Sequence, residues 1–170
     1  MKRLTLMRHA NAEWKDAQIS DFDRPLNRRG NSEAQAMGRR LIVLRLKPTV
    51  LLTSSAKRAQ QTADIIAREM GIAPGKLRSE ESLYLAAAAD LLRVVRESGP
   101  RIPHLMIVGH NPGISEIAQL LAPAPRSEDM GTAGICSITF DARNWAGVCA
   151  RTFRDSLRES PPAGLFGLWA

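Results

Sequence analysis

The sequence is poor in residues that staple or stain a protein. Among 170 residues there are two cysteines, Cys136 and Cys149, and three histidines. The cysteine spacing fits no zinc pattern, and both thiols are expected to be free and buried among apolar neighbours. Aromatic residues make up only 5%, and no basic stretch carries the interleaved rings on which bases stack. A net charge of +7 and a pI near 10.2 therefore do not by themselves indicate nucleic acid, and no nucleic-acid partner is expected. The apolar runs Leu4 to Met7, Val50 to Leu52 and Leu105 to Val108 fall far short of the ~20 residues a membrane span needs. After the basic Met1-Lys2-Arg3, the first apolar run stops at Arg8-His9, which leaves no signal-peptide core. A cytoplasmic protein without a membrane partner is expected. Repeats and low-complexity tracts are missing, as is a Walker A sequence, and Gly109 to Gly113 is not a dinucleotide fingerprint.

What is present is an ordinary globular composition, 44% hydrophobic and 24% charged. A chain of this length buries roughly 70% of its unfolded surface as one domain. Leu4 to Met7 is too short for a helix and suits a strand buried on both faces. From Ser32, the positions Ala34, Met37, Leu41 and Leu44 repeat at helical spacing to about Leu46, before Pro48. Val50 to Thr53 reads as a second strand. Ser55 is placed to cap a helix with the stripe Ala59, Ala63, Ile66, Met70, ending at Gly71. A further helix is predicted over Ala87 to Arg96, then a strand over Leu105 to Val108. Asn111-Pro112 reads as the cap and first turn of a helix reaching Leu121. Gly134 to Phe140 and Gly147 to Phe153 are predicted as two later strands, a hairpin at the sheet edge. This alternation predicts an α/β fold, a three-layer α/β/α sandwich around a mainly parallel sheet.

In such a sheet, ligands bind beyond the carboxyl ends of the strands. The first strand runs into Arg8-His9, the second into Ser54-Ser55 with Arg58 one turn on, and the third into Gly109-His110-Asn111. Two histidines, two arginines and small polar groups thus meet at one edge, and two of the three places also open helices, whose N-termini favour anions. Arginine forks match phosphate oxygens, and a neutral imidazole between them is able to attack phosphorus. The third histidine, His104, precedes its strand at the opposite edge, so no metal site is expected among the three.

These residues carry a resemblance. Leu6-Met7-Arg8-His9-Ala10, Arg24-Pro25-Leu26-Asn27-Arg28-Arg29-Gly30, the segment from Ser54 through Arg58-Ala59 to Thr62, and Gly109-His110-Asn111 are similar, in this order, to the motifs of the histidine phosphatase superfamily. Ala10 stands where that family carries glycine. The short chain and the Asp21-x-x-Arg24-Pro25-Leu26 stretch look most like its SixA-type phosphohistidine phosphatases. The resemblance implies a phosphoglycerate mutase-like fold over residues 1–155, with a C-terminal tail over 156–170. It implies His9 as the nucleophile, Arg8, Arg58, His110 and Asn111 as phosphate ligands, and no cofactor or metal. Larger relatives carry an acid in a Leu-x-Glu setting. Leu83-Tyr84-Leu85 leaves that slot without one, so Asp23 is expected to substitute, with Asp21, Glu80 and Glu81 as alternatives.

A weakly supplied acid disfavours alkoxide leaving groups and suits imidazole, whose conjugate acid has a reference pKa of about 6.5. A histidine-phosphorylated protein domain is thus the expected partner. A small-molecule phosphomonoesterase using Asp23 or Glu81, and a non-catalytic phosphoprotein-binding module, are the alternatives. Neighbouring Arg8 and Arg58 are expected to lower the His9 pKa by like charge. Leu165, Phe166, Leu168 and Trp169 are expected to pack back on the domain.

Overall fold

Apolar runs and helical stripes assemble as the alternation predicts. The computed structural model describes residues 1–14, 18–122 and 129–161; the apolar tail residues named above lie outside them. Strand β1 (Lys2–Arg8) leads to α1 (Arg28–Val43), β2 (Val50–Ser54) to α2 (Lys57–Glu69), and β3 (Leu77–Glu80) to α3 (Ala88–Arg96). Then come β4 (His104–Gly109), α4 (Gly113–Leu121), β5 (Ile135–Phe140) and β6 (Phe153–Glu159). The six-stranded sheet has the order β3-β2-β4-β1-β5-β6. The first four of these neighbours pair in parallel, whereas β5 runs antiparallel to both β1 and β6.

Alternation along each strand divides the core. Leu4, Leu6, Leu52, Leu105, Ile107 and Ile138 face α3 and α4, packing on Leu91, Val95, Ile117 and Trp145. Met7, Leu51, Met106, Val108 and Ile135 face α1 and α2, where Met37, Leu41, Ala63 and Ile66 meet them. Each fully buried aliphatic side chain contributes about 1.5–3 kcal/mol relative to exposure. The continuous apolar strands are thus explained by a sheet covered on both faces.

Several local expectations are corrected. Helix α1 begins four residues early, because the Asn27 side chain caps it by accepting the Gly30 N–H at 2.8 Å. Ser55 does not cap α2: the cap position is Ala56, and the buried Ser55 Oγ has no partner among the described residues. Asn111 does not cap α4 either, since Pro112 occupies that position after a cis Asn111-Pro112 bond. The predicted strand over Gly147 to Phe153 is instead two 3₁₀ turns, Trp145–Gly147 and Ala150–Thr152, the first capped by Asn144. The hairpin partner of β5 is displaced to β6, which pairs as far as Ile135 with Glu159 and so carries the sheet past residue 155. Strand β3 was not predicted, because Leu77-Arg78-Ser79-Glu80 is an edge strand with little apolar pattern. Cys136 is buried as expected, whereas Cys149 is half-buried with Thr152 Oγ1 3.9 Å from its sulfur.

Candidate active site

The carboxyl ends of β1, β2 and β4 converge on one cavity of about 630 Å³, lined by Arg8, His9, Arg58 and His110 within and by Asp21, Arg24, Tyr84, Leu85, Glu13 and Trp14 toward solvent. Its depth follows the exposure of those residues, from Arg58 at 2% to Trp14 at 90%.

Backbone bonds fix the segment that carries His9. Its N–H donates to the Gly109 carbonyl at 3.0 Å, and its carbonyl accepts from Ala133 N–H at 3.2 Å. The next N–H, of Ala10, donates to Thr62 Oγ1 at 3.1 Å, and the following one, of Asn11, to the carboxylate of Glu33 at 2.9 Å. Glu33 is 1% exposed and also binds Arg29 Nε at 2.8 Å. Ala10 has no positive φ, so the alanine in place of glycine needs no strained backbone. Gly30 is more demanding, because a Cβ there would stand 1.9 Å from the Asn11 carbonyl oxygen.

The spacing Ser54, Arg58, Thr62 now has a physical meaning. Residues four apart on a helix share a face. Thr62 Oγ1 donates to the Arg58 carbonyl at 2.7 Å while holding Ala10, so one face of α2 presents Arg58 to His9. Ser54, at the end of β2, lies with its Oγ 2.7 Å from His110 Nε2.

Arg58 is the hub. Its Nε donates to His9 Nε2 at 3.2 Å, and its Nη2 lies 3.4 Å from His110 Nδ1. The two imidazoles are 5.1 Å apart between centroids. His9 Nδ1 lies 2.7 Å from the Ala10 carbonyl, an acceptor only, so Nδ1 carries the proton and Nε2 keeps the lone pair that accepts from Arg58 Nε. A guanidinium likewise has no acceptor, which places the lone pair of His110 at Nδ1 and its N–H toward Ser54. Burial pushes the His9 pKa down to about 4; the Ala10 bond opposes this, and Arg58, Arg8 and Arg24 add to it. The expected direction holds, but burial rather than like charge leads. His110 falls to about 3, again first through burial, then through His9 and Arg58. Both rings are neutral near pH 7.

Arg8 donates through Nη1 to the Met130 carbonyl at 3.0 Å, and its Nε is buried without a partner among the described residues. A guanidinium N–H left without a partner keeps a donor in reserve, and Arg8 lines the cavity. Asn111 lines the same wall, where its amide donates to the Met130 carbonyl at 3.0 Å and accepts from Ser115 Oγ at 2.8 Å.

The carboxylates are sorted differently from the sequence expectation. Asp23 is exposed, folds back on Ser20 at 2.5 Å and does not line the cavity. Asp21 does: its Oδ2 pairs with Arg58 Nη2 at 3.0 Å and its backbone carbonyl accepts from Arg58 Nη1. The loop is held there by α2, whose Lys57 N–H donates to the Phe22 carbonyl at 3.0 Å. Burial alone would raise the Asp21 pKa, but the Tyr84 hydroxyl, Arg58 and Arg24 outweigh it and hold it at about 2. Glu80 and Glu81 lie outside the cavity. Arg24 and Tyr84, quoted above only as members of motifs, and Glu13 were given no role in the site from the sequence. For Arg24 and Tyr84, the available signal was a lone tyrosine and an Asp-x-x-Arg pair in a chain with few aromatics. His104 sits at the other end of β4, tied to Thr5 Oγ1 at 2.9 Å and the Lys47 carbonyl at 3.2 Å.

Comparison with known proteins agrees with this arrangement. Residues 4–83, which carry Arg8, His9, Ser54, Arg58 and Thr62, match the model of the histidine phosphatase superfamily (branch 1). An uncharacterised protein of Mycobacterium tuberculosis is 36% identical over 152 residues, 84% of this chain and 91% of that protein. An uncharacterised chloroplastic protein of Arabidopsis thaliana is 32% identical over 131 residues, 72% of this chain but 60% of its own, longer sequence. A crystal structure assigned as phosphohistidine phosphatase SixA from Agrobacterium tumefaciens superimposes with a TM-score of 0.78 at 24% identity, over 92% of this chain and 97% of that one. That likeness shows the phosphoglycerate mutase-like fold. Among the described residues, no helix is long and apolar enough to cross a membrane. By its motif residues, their convergence on one cavity and these matches, the chain belongs to the histidine phosphatase superfamily, branch 1.

Proposed function

We propose that this phosphatase works through phospho-His9 and that its substrate is a phosphohistidine on a protein surface. One observation carries the reading: a neutral His9, anchored at Nδ1 by the Ala10 carbonyl, turns the Nε2 lone pair toward Arg58 at 3.2 Å. In the first step the lone pair of His9 Nε2 is released by the Arg58 Nε–H, which turns to a phosphoryl oxygen, and forms a bond to phosphorus as the substrate P–N bond breaks. The electron pair stays on the departing nitrogen, and the ring leaves as neutral imidazole because its second nitrogen carries the proton. In the second step water attacks phosphorus, the bond to His9 breaks, its electron pair returns to Nε2, and the water proton passes to solvent or phosphate. Arg8 and Arg58 hold the phosphoryl oxygens and meet the charge that builds on them. The substrate class is supported by the state of Asp21, ionised and bound to Arg58, which leaves it unable to protonate an alkoxide. It is also supported by the shared fold of the Agrobacterium tumefaciens protein, described as a phosphohistidine phosphatase.

Rapid quench with a labelled histidine-phosphorylated domain tests both parts. The expected result is a transient, acid-labile and base-stable protein phosphate, absent in His9→Ala, with turnover that needs no added divalent metal. Wild-type turnover by His9→Ala would remove the nucleophile assignment. Faster hydrolysis of an alkyl phosphate than of phosphohistidine would favour a small-molecule phosphomonoesterase.

A further inference from the structure

Tyr84 is the single tyrosine of the chain, and its hydroxyl donates to Asp21 Oδ2 at 2.9 Å. The same oxygen receives Arg58 Nη2 at 3.0 Å, while Oδ1 faces Arg24 Nε at 3.1 Å and Nη2 at 2.9 Å. A carboxylate has about four lone-pair sites. Here two donors stand at each oxygen, so a proton reaches Asp21 only if one of them is given up. The phenol is fixed in turn, edge-on to His110 at 5.6 Å and to Phe22 at 5.1 Å between ring centroids. Leu85, immediately after it, takes a φ of 48° and is 55% exposed. A leucine in the left-handed region costs roughly 1–3 kcal/mol and persists only where surrounding structure imposes it. Tyr84 faces the cavity beside this strained residue.

We propose that Tyr84 is a positioning residue that sets leaving-group selectivity: by completing the set of donors around Asp21, it keeps that carboxylate fixed against Arg58 and unable to take up a proton for the leaving group. The inference rests on the phospho-His9 reading above. The hydroxyl proton of Tyr84 is itself committed to Asp21 Oδ2 at 2.9 Å, so the phenol does not direct it at a leaving group. An alkoxide, which must take a proton as the P–O bond breaks, then finds none at Asp21, whereas a phenolate, or an imidazole already protonated at its second nitrogen, needs none. Removing the hydroxyl frees one lone pair of Asp21. A protonated Asp21 is then able to pass its proton to the departing oxygen, become carboxylate again and regain a proton from solvent. Among the described residues Glu13 is the other acid lining the cavity, and it enters the test as the competing donor.

The experiment measures kcat/KM over a series of aryl and alkyl phosphates of increasing leaving-group pKa, for wild type, Tyr84→Phe, Tyr84→Phe combined with Asp21→Asn, and Glu13→Gln. Tyr84→Phe is expected to raise the ratio of alkyl to aryl phosphate turnover roughly 10-fold, a part of the 10²–10⁴ that a positioned acid supplies. The gain should vanish when Asp21→Asn is added. An equal loss on every ester, a gain that survives Asp21→Asn, or a steeper leaving-group dependence in Glu13→Gln would overturn the proposal. Because the series contains only esters, its outcome stands apart from whether phosphohistidine is the substrate.

Discussion

The Nε–H of Arg58 is directed at Nε2 of His9 across 3.2 Å, so a guanidinium donor and an imidazole lone pair face one another in the cavity before a phosphoryl group enters. Four of the five Arg58 N–H groups are engaged by His9, His110 and Asp21. The residue is 2% exposed and cannot be treated as one more surface charge.

Arg58→Ala should therefore lower kcat/KM by roughly 10² or more, since it leaves developing charge on the phosphoryl oxygens unmatched. Arg58→Lys should rescue little, because an ammonium is a point charge and cannot serve His9 and Asp21 along one planar fork. Arg8→Ala should match the alanine loss. Arg39, exposed and paired with Glu69 at 3.3 Å, serves as the control, and its alanine variant should be near wild type. Similar losses at Arg8, Arg39 and Arg58 would indicate diffuse attraction instead of a pocket.

The pH profile should carry the signature of the buried nucleophile. With the His9 pKa at about 4, kcat/KM should hold its plateau well below the usual histidine range and fall only near that value. Burial leads the shift, and the arginine charges come after it. Salt screens charge and leaves burial untouched, so raising ionic strength to 1 M should move the acid limb little. An acid limb near pH 6.5, or one that climbs steeply with salt, contradicts this account.

Much of this site was readable from residue order. Leu4 to Met7, Val50 to Thr53 and Leu105 to Val108 are strands because apolar runs of that length fit a sheet covered on both faces, and Arg8-His9, Ser54 and His110 follow them directly. Arg58 was legible one turn after Ser54-Ser55, and Thr62 only through the resemblance. The choice between Asp21 and Asp23 was not, because two carboxylates in one loop are distinguished by Arg58 and Tyr84, 37 and 63 residues away in sequence from Asp21. Strands β3 and β6 were obscured for another reason: edge strands with charged, exposed side chains lack the pattern that burial writes. Asn27 as the α1 cap was hidden within a motif already assigned to another purpose.

Gly30 joins fold to function through one close approach. Gly30→Ala places a methyl group 1.9 Å from the Asn11 oxygen and under 3 Å from two more backbone atoms of that residue. Backbone must move, and the segment that moves is the one Glu33 and Thr62 clamp after His9. A destabilisation of about 1–3 kcal/mol is expected from overpacking, together with a fall in kcat/KM in the molecules that remain folded. Urea unfolding and steady-state rates on the same preparation measure the two. An unchanged urea midpoint would show that the loop accommodates a side chain freely.

Stability should fall as the solution is acidified, and three histidines set the window. His9 and His104 have pKa values of about 4 and His110 of about 3, each lowered first by burial from 6.5. Between 6.5 and those values the unfolded chain binds more protons than the folded one, so unfolding free energy rises with pH across this interval. It is complete above the unfolded-state value, declines as pH falls through the interval, and changes no further from this source once the folded histidines are protonated. His104 isolates the effect from catalysis, because it lies at the far end of β4, where its ring nitrogens bond Thr5 Oγ1 and the Lys47 carbonyl. His104→Gln should flatten the pH dependence of the urea midpoint by about a third of the histidine contribution, one group of three with similar linkage. Its kcat/KM at neutral pH should stay at the wild-type value. A midpoint that keeps the full wild-type dependence on pH in His104→Gln would show that the buried His104 does not take part in the linkage.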